Sequence, residues 1–270
     1  MADDLYQDRV LIYIDILGWS TACRDSGNPK LRKALKVIHR EAETYSEAFR
    51  KGITAQDATI TTELGTMPIQ AVNPMFLQVQ FGAFSDHFVF SMPASFGSRI
   101  LNVGNMIRSL LLLGFATRGA VVRGPLYHLD NVIFGPALIE AVNIESTEAV
   151  YPRVIVAQAL LDWLREIGHL DGSAWGYLVE DHLHRMVVNP FPLGLSGPPE
   201  VIDSSIRENF ALPEIKAIIE HEIAGHEASG NKKYAEKWHY LRDFISGPII
   251  AATPQMGAYW RSPVDATGAS

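Results

Sequence analysis

The stretch V-L-I-Y-I-D-I-L-G-W-S, Val10 to Ser20, places one carboxylate inside a run of large apolar side chains. Residues 9–17 are rich in β-branched and aromatic residues and contain no turn residue before Gly18, which predicts a strand buried on both faces. A carboxylate such as that of Asp15 is costly to bury unless a cation or strong hydrogen-bond donors meet it. What contacts Asp15 is therefore the first question about function.

The composition indicates a soluble α/β protein of the cytoplasm. The 270 residues, 47% of them hydrophobic, suit one large domain or a core with an appendage. A net charge of −7 argues against nucleic acid as a partner, although a local cation can still hold a small anion. The single cysteine, Cys23, permits no internal disulfide and no cysteine metal cluster. The acidic N-terminus is unlike a signal peptide, and the run S-L-L-L-L-G-F-A is too short to span a membrane.

The pattern along the chain predicts an α+β fold. After the first strand we expect a helix over 29–50 with Asn28 as its N-cap, a loop or extra hairpin over 52–73, a hairpin turning at Ser85-Asp86 and a helix over 97–113. A second hairpin, a short helix, a strand, another helix and two strands around Asp181 follow. This order favours a ferredoxin-like, mostly antiparallel sheet with flanking helices.

The chain divides at a segment rich in proline and glycine, P-F-P-L-G-L-S-G-P-P-E. We expect a first domain over residues 1–190 and a charged, helical C-terminal extension over 204–270. The extension is expected to cover the sheet or to pack in a dimer.

Two acids stand out by their context. Asp15 ends an apolar strand, and Asp86 lies at the tip of a hairpin with apolar arms. In a ferredoxin-like sheet the first strand lies beside that hairpin, so the two carboxylates converge at one edge. Their repulsion keeps one of them protonated unless a divalent cation neutralises both, and hard oxygen ligands suit Mg²⁺ or Mn²⁺. The alternative interpretation makes Asp86 a turn residue and Asp15 the cap of the next helix.

Four blocks of the sequence resemble the catalytic domain of class III nucleotidyl cyclases. They are Y-I-D-I-L-G-W-S, F-S-D-H-F-V-F-S-M-P, T-R-G-A-V-V-R-G-P-L-Y and F-G-P-A-L-I-E-A-V-N-I-E-S-T, in the family's order over residues 10–150. The resemblance is closer to the bacterial Pycsar pyrimidine cyclases. The residues that fit that layout are Phe134 to Ala137, Glu140, Ala141, Glu145 and Ala149 to Arg153.

This resemblance implies two-metal catalysis within one nucleotide. Asp15, Asp86 and the carbonyl of Ile16 would hold two divalent cations, Mn²⁺ or Mg²⁺. The ribose 3′-hydroxyl would attack the α-phosphorus in line, and pyrophosphate would leave. The resemblance also implies a homodimer whose active sites are shared between two chains.

The remaining substrate contacts are expected close to the first strand. Backbone N–H groups of four residues lie where the triphosphate would sit: Leu17, Gly18, Trp19 and Ser20. We expect Tyr45 or Phe49, on the first helix, to stack on the pyrimidine ring. The alternative is that both are core residues of an amphipathic helix.

The chain departs from the purine cyclases at the positions that read the base. Those enzymes use a lysine and an acid where this chain has Gly82 and Val132. A pocket without these groups cannot satisfy the donors and acceptors of adenine in the same way. The departure favours a pyrimidine substrate, UTP or CTP.

The chain also departs at the positions that stabilise the transition state. The family's asparagine and arginine fall at Ile139 and Asn143, so another cation must supply the positive charge. The available arginines are Arg118, Arg123 and Arg153, of which we favour Arg123 and Arg153 as the catalytic pair.

These observations predict a cyclase that converts UTP or CTP to the 3′,5′-cyclic mononucleotide and pyrophosphate. Such an enzyme would generate the signal of a bacterial anti-phage pathway whose effector is a separate protein. Two alternatives stay open: a purine cyclase with an unusual base pocket, and a non-catalytic, cyclase-like nucleotide sensor or dimerisation module.

Overall fold

The computed structural model describes residues 5–39, 59–62, 65–68, 79–94, 101–129, 132–168, 178–191 and 212–246. The described strands are β1 (Gln7–Ile16), β2 (Thr59–Thr62), β3 (Gly65–Pro68), β4 (Gln80–Phe84), β5 (His87–Pro93), β6 (Thr117–Leu129), β7 (Val132–Phe134), β8 (Val154–Val156), β9 (Leu178–Glu180) and β10 (Met186–Val188). The described helices are α1 (Trp19–Cys23), α2 (29–39), α3 (Leu101–Leu111), α4 (Pro136–Thr147), α5 (Gln158–Glu166), α6 (Leu212–Ala228) and α7 (Lys232–Ser246).

Eight of the described strands form one sheet. Seven of them follow the order β4-β5-β1-β6-β8-β10-β9, and the eighth, β7, pairs with β6 alone. The pairs among β4, β5, β1 and β6 are antiparallel, whereas β6 and β8 run parallel. The order β4-β5-β1-β6 is that of a ferredoxin-like core, in which β1 lies between the β4–β5 hairpin and β6, the strand that follows α3. The predicted α+β fold is therefore confirmed.

Strand β1 lies at the centre of this sheet because its side chains are apolar on both faces. Val10, Leu11, Ile12 and Ile14 are fully buried. One face of β1 carries Asp15 and is covered by α4, which packs against both β1 and β6. The central strand thereby carries Asp15 to the edge of the sheet where β1 ends.

The local predictions agree with the described elements. Helix α2 begins after Asn28, whose Oδ1 accepts a hydrogen bond from the N–H of Lys30 at 2.9 Å, as an N-cap does. The β4–β5 turn falls at Ser85 and Asp86, and β2 with β3 forms the extra hairpin. The predicted part of the first helix beyond residue 39, including Tyr45, lies outside the described residues.

The C-terminal helices α6 and α7 pack against each other and join the main hydrophobic core. Their buried side chains include Ile215, Ile219, Trp238, Leu241 and Phe244. The extension thus covers part of the same core, and the division into two domains stays a prediction. None of the helices that the structure describes combines the length and the apolar character needed to cross a bilayer.

Gly119→Ala is expected to destabilise the fold by about 2 kcal/mol or more, because β6 passes very close to β1 at this residue. A Cβ atom on Gly119 would collide with the backbone carbonyl of Tyr13 and lie 3.0 Å from Cα of Ile14. Urea unfolding measures the effect. The matched control is Gly225→Ala in α6, where a Cβ meets open space and alanine is the better helix former. Equal stability of Gly119→Ala and the wild type would contradict this packing.

Candidate active site

Asp15, Asp86 and His87 meet at the edge of the sheet. Asp15 lies directly opposite His87 on β5, and the N–H of Ile16 donates to the backbone carbonyl of Asp86 at 2.9 Å. One potential metal-ligand atom from each of the three side chains lies within 4.8 Å of the others. The convergence of the two carboxylates thus agrees with the sequence-based expectation.

Arg118 is the cation that contacts Asp15. Asp15 lies opposite Arg118 in the β1–β6 register, and its carboxylate is only 7% exposed. The Arg118 Nε donates to Asp15 Oδ2 at 2.7 Å, and Nη2 lies 2.7 Å from Glu145 Oε1 on α4. Arg118 therefore bridges two acids from different elements.

Of these two acids, Glu145 has the less complete set of hydrogen bonds. Its Oε1 has no hydrogen-bond partner among the described residues, so its contact with Arg118 is an ion pair outside hydrogen-bond geometry. Burial raises the pKa of Glu145, Arg118 lowers it, and the negative charge of Asp15 raises it further. Burial and the charges of Glu145, Asp15 and Asp86 also raise the pKa of Tyr13 to about 12. The site has a surplus of negative charge.

Asp86 occupies the hairpin turn and is held in its ionised form. Burial of Asp86 raises its pKa. Hydrogen bonds from the Ser85 side chain, from its own backbone N–H and from the Ser20 side chain, together with the charge of His87, lower the pKa below the usual value. The Ser20 hydroxyl donates to Asp86 Oδ2 at 3.4 Å. His87 Nδ1 lies 3.0 Å from Asp86 Oδ1. Asp86 is thus a turn residue that is also in contact with two side chains.

Residues 17–20, which the sequence predicts to face a triphosphate, connect β1 to α1 and include the first two residues of that helix. Gly18 has φ 80°, a left-handed conformation that favours glycine, and it caps α1. The N–H of Leu17 is already used, since it donates to the carbonyl of Ala116 at 2.9 Å. The Trp19 side chain is buried in the core, whereas Ser20 is exposed. Among residues 17–20, the Ser20 side chain is the one in contact with Asp86.

Arg123, one of the two predicted catalytic arginines, lies away from Asp15. It follows Arg118 by five residues along β6, which corresponds to about 17 Å of extended chain. Its Nη2 lies 2.6 Å from Asp8 Oδ2, and its guanidinium stacks over Trp163 at 4.4 Å. These contacts hold Arg123 between Asp8 of β1 and Trp163 of α5.

Arg153, the other predicted catalytic arginine, is part of a buried network. Its Nη1 lies 2.6 Å from Asp181 Oδ2, and its Nη2 donates to the carbonyl of Glu148 at 2.8 Å. The Tyr240 hydroxyl of α7 donates to the same Asp181 oxygen at 2.7 Å. The network ties the C-terminal extension to the sheet.

The positions where the chain departs from the purine cyclases lie on β4, β7 and α4. A Cβ atom on Gly82 would lie 2.9 Å from the Val89 side chain and 3.8 Å from Nε2 of His128. Val132 is largely exposed, as are Ile139, at 72%, and Asn143 on α4.

Lys237 is a residue that the sequence did not single out. Burial lowers its pKa, the positive charges of Arg118 and Lys233 lower it further, and Asp15 and Glu145 raise it. Its Nζ lies 5.2 Å from the centroid of the Tyr234 ring on the same helix. No local motif indicates this, because the position of Lys237 depends on how α7 packs. His87 did have a sequence signal, since it directly follows Asp86.

No protein-family model matches the chain, and no curated protein matches it. Among solved structures, the adenylyl cyclase CyaB from P. aeruginosa is similar at 10% identity and TM-score 0.39, over 60% of this chain and 82% of that chain. A bacterial light-regulated adenylyl cyclase is similar at 12% and 0.39, over 68% and 91%. The guanylate cyclase domain of RhGC from Catenaria anguillulae, in complex with GTP, is similar at 10% and 0.36, over 67% and 94%. These identities and TM-scores are too low for the similarity to bear on activity.

Proposed function

We propose that the chain is a nucleotide cyclase that converts UTP or CTP to the 3′,5′-cyclic mononucleotide and pyrophosphate. The observation that carries this proposal is the convergence of Asp15, Asp86 and His87, with ligand atoms within 4.8 Å of one another. Asp15 and Asp86, with the carbonyl of Ile16, are the proposed ligands of two divalent cations, Mn²⁺ or Mg²⁺.

The charges of the cluster fit such cations. Asp15, Asp86 and Glu145 are three acids, and Arg118 is the arginine that contacts two of them. Carboxylates crowded in a partly buried site repel one another, and a divalent cation removes that repulsion. Carboxylate and carbonyl oxygens are ligands that Mg²⁺ and Mn²⁺ accept.

Neighbouring side chains of the chain itself contact the two acids that are the proposed metal ligands. Arg118 orients Asp15, while Ser20 donates a hydrogen bond to Asp86 and His87 lies beside it. In the proposed reaction the ribose 3′-hydroxyl gives its proton to solvent water and its oxygen bonds to the α-phosphorus. The bond from that phosphorus to the bridging oxygen breaks, and pyrophosphate leaves with the electron pair. When bound, the cations supply positive charge that favours the ribose alkoxide and the leaving pyrophosphate.

We propose that Arg118 and Lys237 supply part of the positive charge that stabilises the transition state. Ile139 and Asn143, which occupy the positions of the family's asparagine and arginine, cannot supply it. Lys237→Met is expected to raise the KM for the nucleotide about tenfold, because one positive charge near a triphosphate contributes about 1–2 kcal/mol at a partly exposed site. Steady-state kinetics at fixed Mn²⁺ measures this. The matched control is Lys232→Met, at an exposed position of the same helix. An equal KM for both variants would contradict the role of Lys237.

A homodimer with shared active sites remains part of the proposal. Exposed apolar side chains on neighbouring elements support it, since such groups mark contact surfaces. They are Val132 and Phe134 on β7 and Ile139 and Val142 on α4. Sedimentation of the full chain tests the dimer, and a monomer at catalytic concentrations would contradict it.

The choice of base is tested by incubating the protein with Mn²⁺ and each of the four labelled nucleoside triphosphates. A cyclic pyrimidine mononucleotide with stoichiometric pyrophosphate is the expected product. A cyclic purine as the main product would replace the proposal by a purine cyclase. If the four reactions give no cyclic product but calorimetry detects nucleotide binding, the alternative of a non-catalytic sensor is correct. The replacement of the family's asparagine and arginine by Ile139 and Asn143 favours that alternative.

We also propose that the cyclic product acts as a signal in bacterial anti-phage defence, through a separate effector protein. This rests on the resemblance of the four sequence blocks. The expected result is phage protection in cells that carry the cyclase with its effector, and loss of protection when Asp15 is replaced by Asn.

A further inference from the structure

We propose that His87 is a third side-chain ligand of the metal site, beside Asp15 and Asp86, which makes it a mixed nitrogen and oxygen site that prefers Mn²⁺ to Mg²⁺. This inference rests on the proposed function, because it concerns the metal ions that Asp15 and Asp86 would hold. It adds a ligand that the sequence blocks did not assign.

The position of the imidazole fits coordination. His87 lies directly opposite Asp15 across the β1–β5 pair, and its Nδ1 lies 3.0 Å from Asp86 Oδ1. Two ligand atoms at right angles around an ion, each about 2.1 Å from it, are about 3.0 Å apart. The two groups therefore already have the separation of neighbouring ligands around one ion.

The orientation of the ring is fixed by its neighbours. The His87 ring is stacked on Phe84, with centroids 5.5 Å apart and an interplanar angle of 16°. Its centroid lies 5.2 Å from that of Tyr13. An imidazole held between two aromatic rings loses little conformational freedom when it binds a metal, which favours affinity.

The chemistry of the ligand set favours Mn²⁺. Mg²⁺ prefers an octahedron of oxygen atoms, whereas first-row transition ions accept imidazole nitrogen together with carboxylate oxygen. A neutral imidazole with its proton on Nε2 presents the Nδ1 lone pair to the ion. The nitrogen ligand therefore contributes more to the affinity for Mn²⁺ than to that for Mg²⁺.

The alternative role of His87 is to position Asp86 by a hydrogen bond alone, and two variants separate the roles. His87→Phe keeps an aromatic ring between Tyr13 and Phe84 but removes both nitrogens. His87→Asn keeps an N–H donor for Asp86 but has no imidazole nitrogen. His184→Phe is the control, because the imidazole of His184 is exposed and paired with Glu180.

The experiment measures binding of Mn²⁺ alone and of Mg²⁺ alone to the full chain by calorimetry. Pulsed electron paramagnetic resonance then detects coupling between Mn²⁺ and labelled histidine nitrogen. We expect nitrogen coupling in the wild type and in His184→Phe, and none in His87→Phe or His87→Asn. Loss of the imidazole should raise the Kd for Mn²⁺ tenfold or more and that for Mg²⁺ less than threefold.

The outcomes separate this inference from the proposed function. Mn²⁺ that binds in an Asp15-dependent manner without nitrogen coupling would overturn the role of His87 and leave the metal site in place. Full rescue of Mn²⁺ affinity by His87→Asn, together with absence of nitrogen coupling in the wild type, would assign His87 to positioning Asp86. A wild-type protein that binds no Mn²⁺, with or without nucleotide, would overturn the metal site and the proposed function together.

Discussion

Asp15→Asn is expected to reduce the formation of cyclic nucleotide about a thousandfold or more while the protein stays folded. The substitution removes a charged oxygen ligand from the proposed cations, and a loss of about 4 kcal/mol of transition-state stabilisation corresponds to a thousandfold in rate. The measurement is kcat with UTP and with CTP at saturating Mn²⁺. Asp86→Asn is expected to show the same loss.

The fold is expected to survive Asp15→Asn because asparagine keeps the shape of the side chain and can still accept a hydrogen bond from Arg118. Glu145 remains as the charge partner of that arginine. The matched control is Asp8→Asn on the same strand, where the acid is exposed and pairs with Arg123. We expect Asp8→Asn to retain activity. An Asp15→Asn variant with a kcat within tenfold of the wild type would contradict the proposed metal site.

Arg153→Met is expected to lower the free energy of unfolding by about 3 kcal/mol. Asp181 is buried, and removing one member of a buried ion pair leaves an uncompensated charge. The loss falls at the lower end of the range for such pairs because the Asp181 carboxylate keeps hydrogen bonds from the Tyr240 hydroxyl and two backbone N–H groups. Urea unfolding at pH 7 measures the change.

The pH dependence of this effect follows from the pKa of Asp181. Burial raises that pKa, but hydrogen bonds from the backbone of Arg185, from Arg153 and from Tyr240 lower it below the ordinary value. A lowered folded-state pKa stabilises the fold above the unfolded carboxyl pKa of about 4, and this contribution is lost as pH falls through the folded pKa. The destabilisation by Arg153→Met should therefore be largest near neutral pH and shrink in acid.

The control for Arg153→Met is Arg123→Met, which removes a more exposed ion pair and should cost less than about 1 kcal/mol. The pair of variants also tests the sequence-based expectation that both arginines are catalytic. If Arg153→Met is as stable as the wild type but inactive, Arg153 is catalytic after all. A destabilised variant that keeps its kcat at low temperature supports the structural role.

The sequence predicts the parts of this fold that local patterns determine. The unbroken apolar run before Gly18 predicts β1, the polar pair Ser85-Asp86 between apolar arms predicts the β4–β5 turn, and Asn28 predicts the start of α2. Because the first strand of such a fold lies beside that hairpin, the convergence of Asp15 with Asp86 follows from the same patterns.

The sequence does not predict which cation meets Asp15. Arg118, Arg123 and Arg153 are equivalent in local pattern, and only the register that places Arg118 opposite Asp15 separates them. That register is set by the pairing of strands about a hundred residues apart along the chain. The position of Lys237 depends in turn on tertiary packing of α7, which no local pattern encodes.

The most direct test of the central claim is a crystal structure of the protein with Mn²⁺ and α,β-methylene-UTP, whose α–β bridge cannot be cleaved. The account predicts at least one Mn²⁺ ion within about 2.2 Å of an oxygen of Asp15 and of an oxygen of Asp86. It also predicts that the α-phosphate lies beside this ion and that the ribose 3′-hydroxyl faces the α-phosphorus. A nucleotide bound away from these carboxylates, with no metal on Asp15 or Asp86, would contradict it.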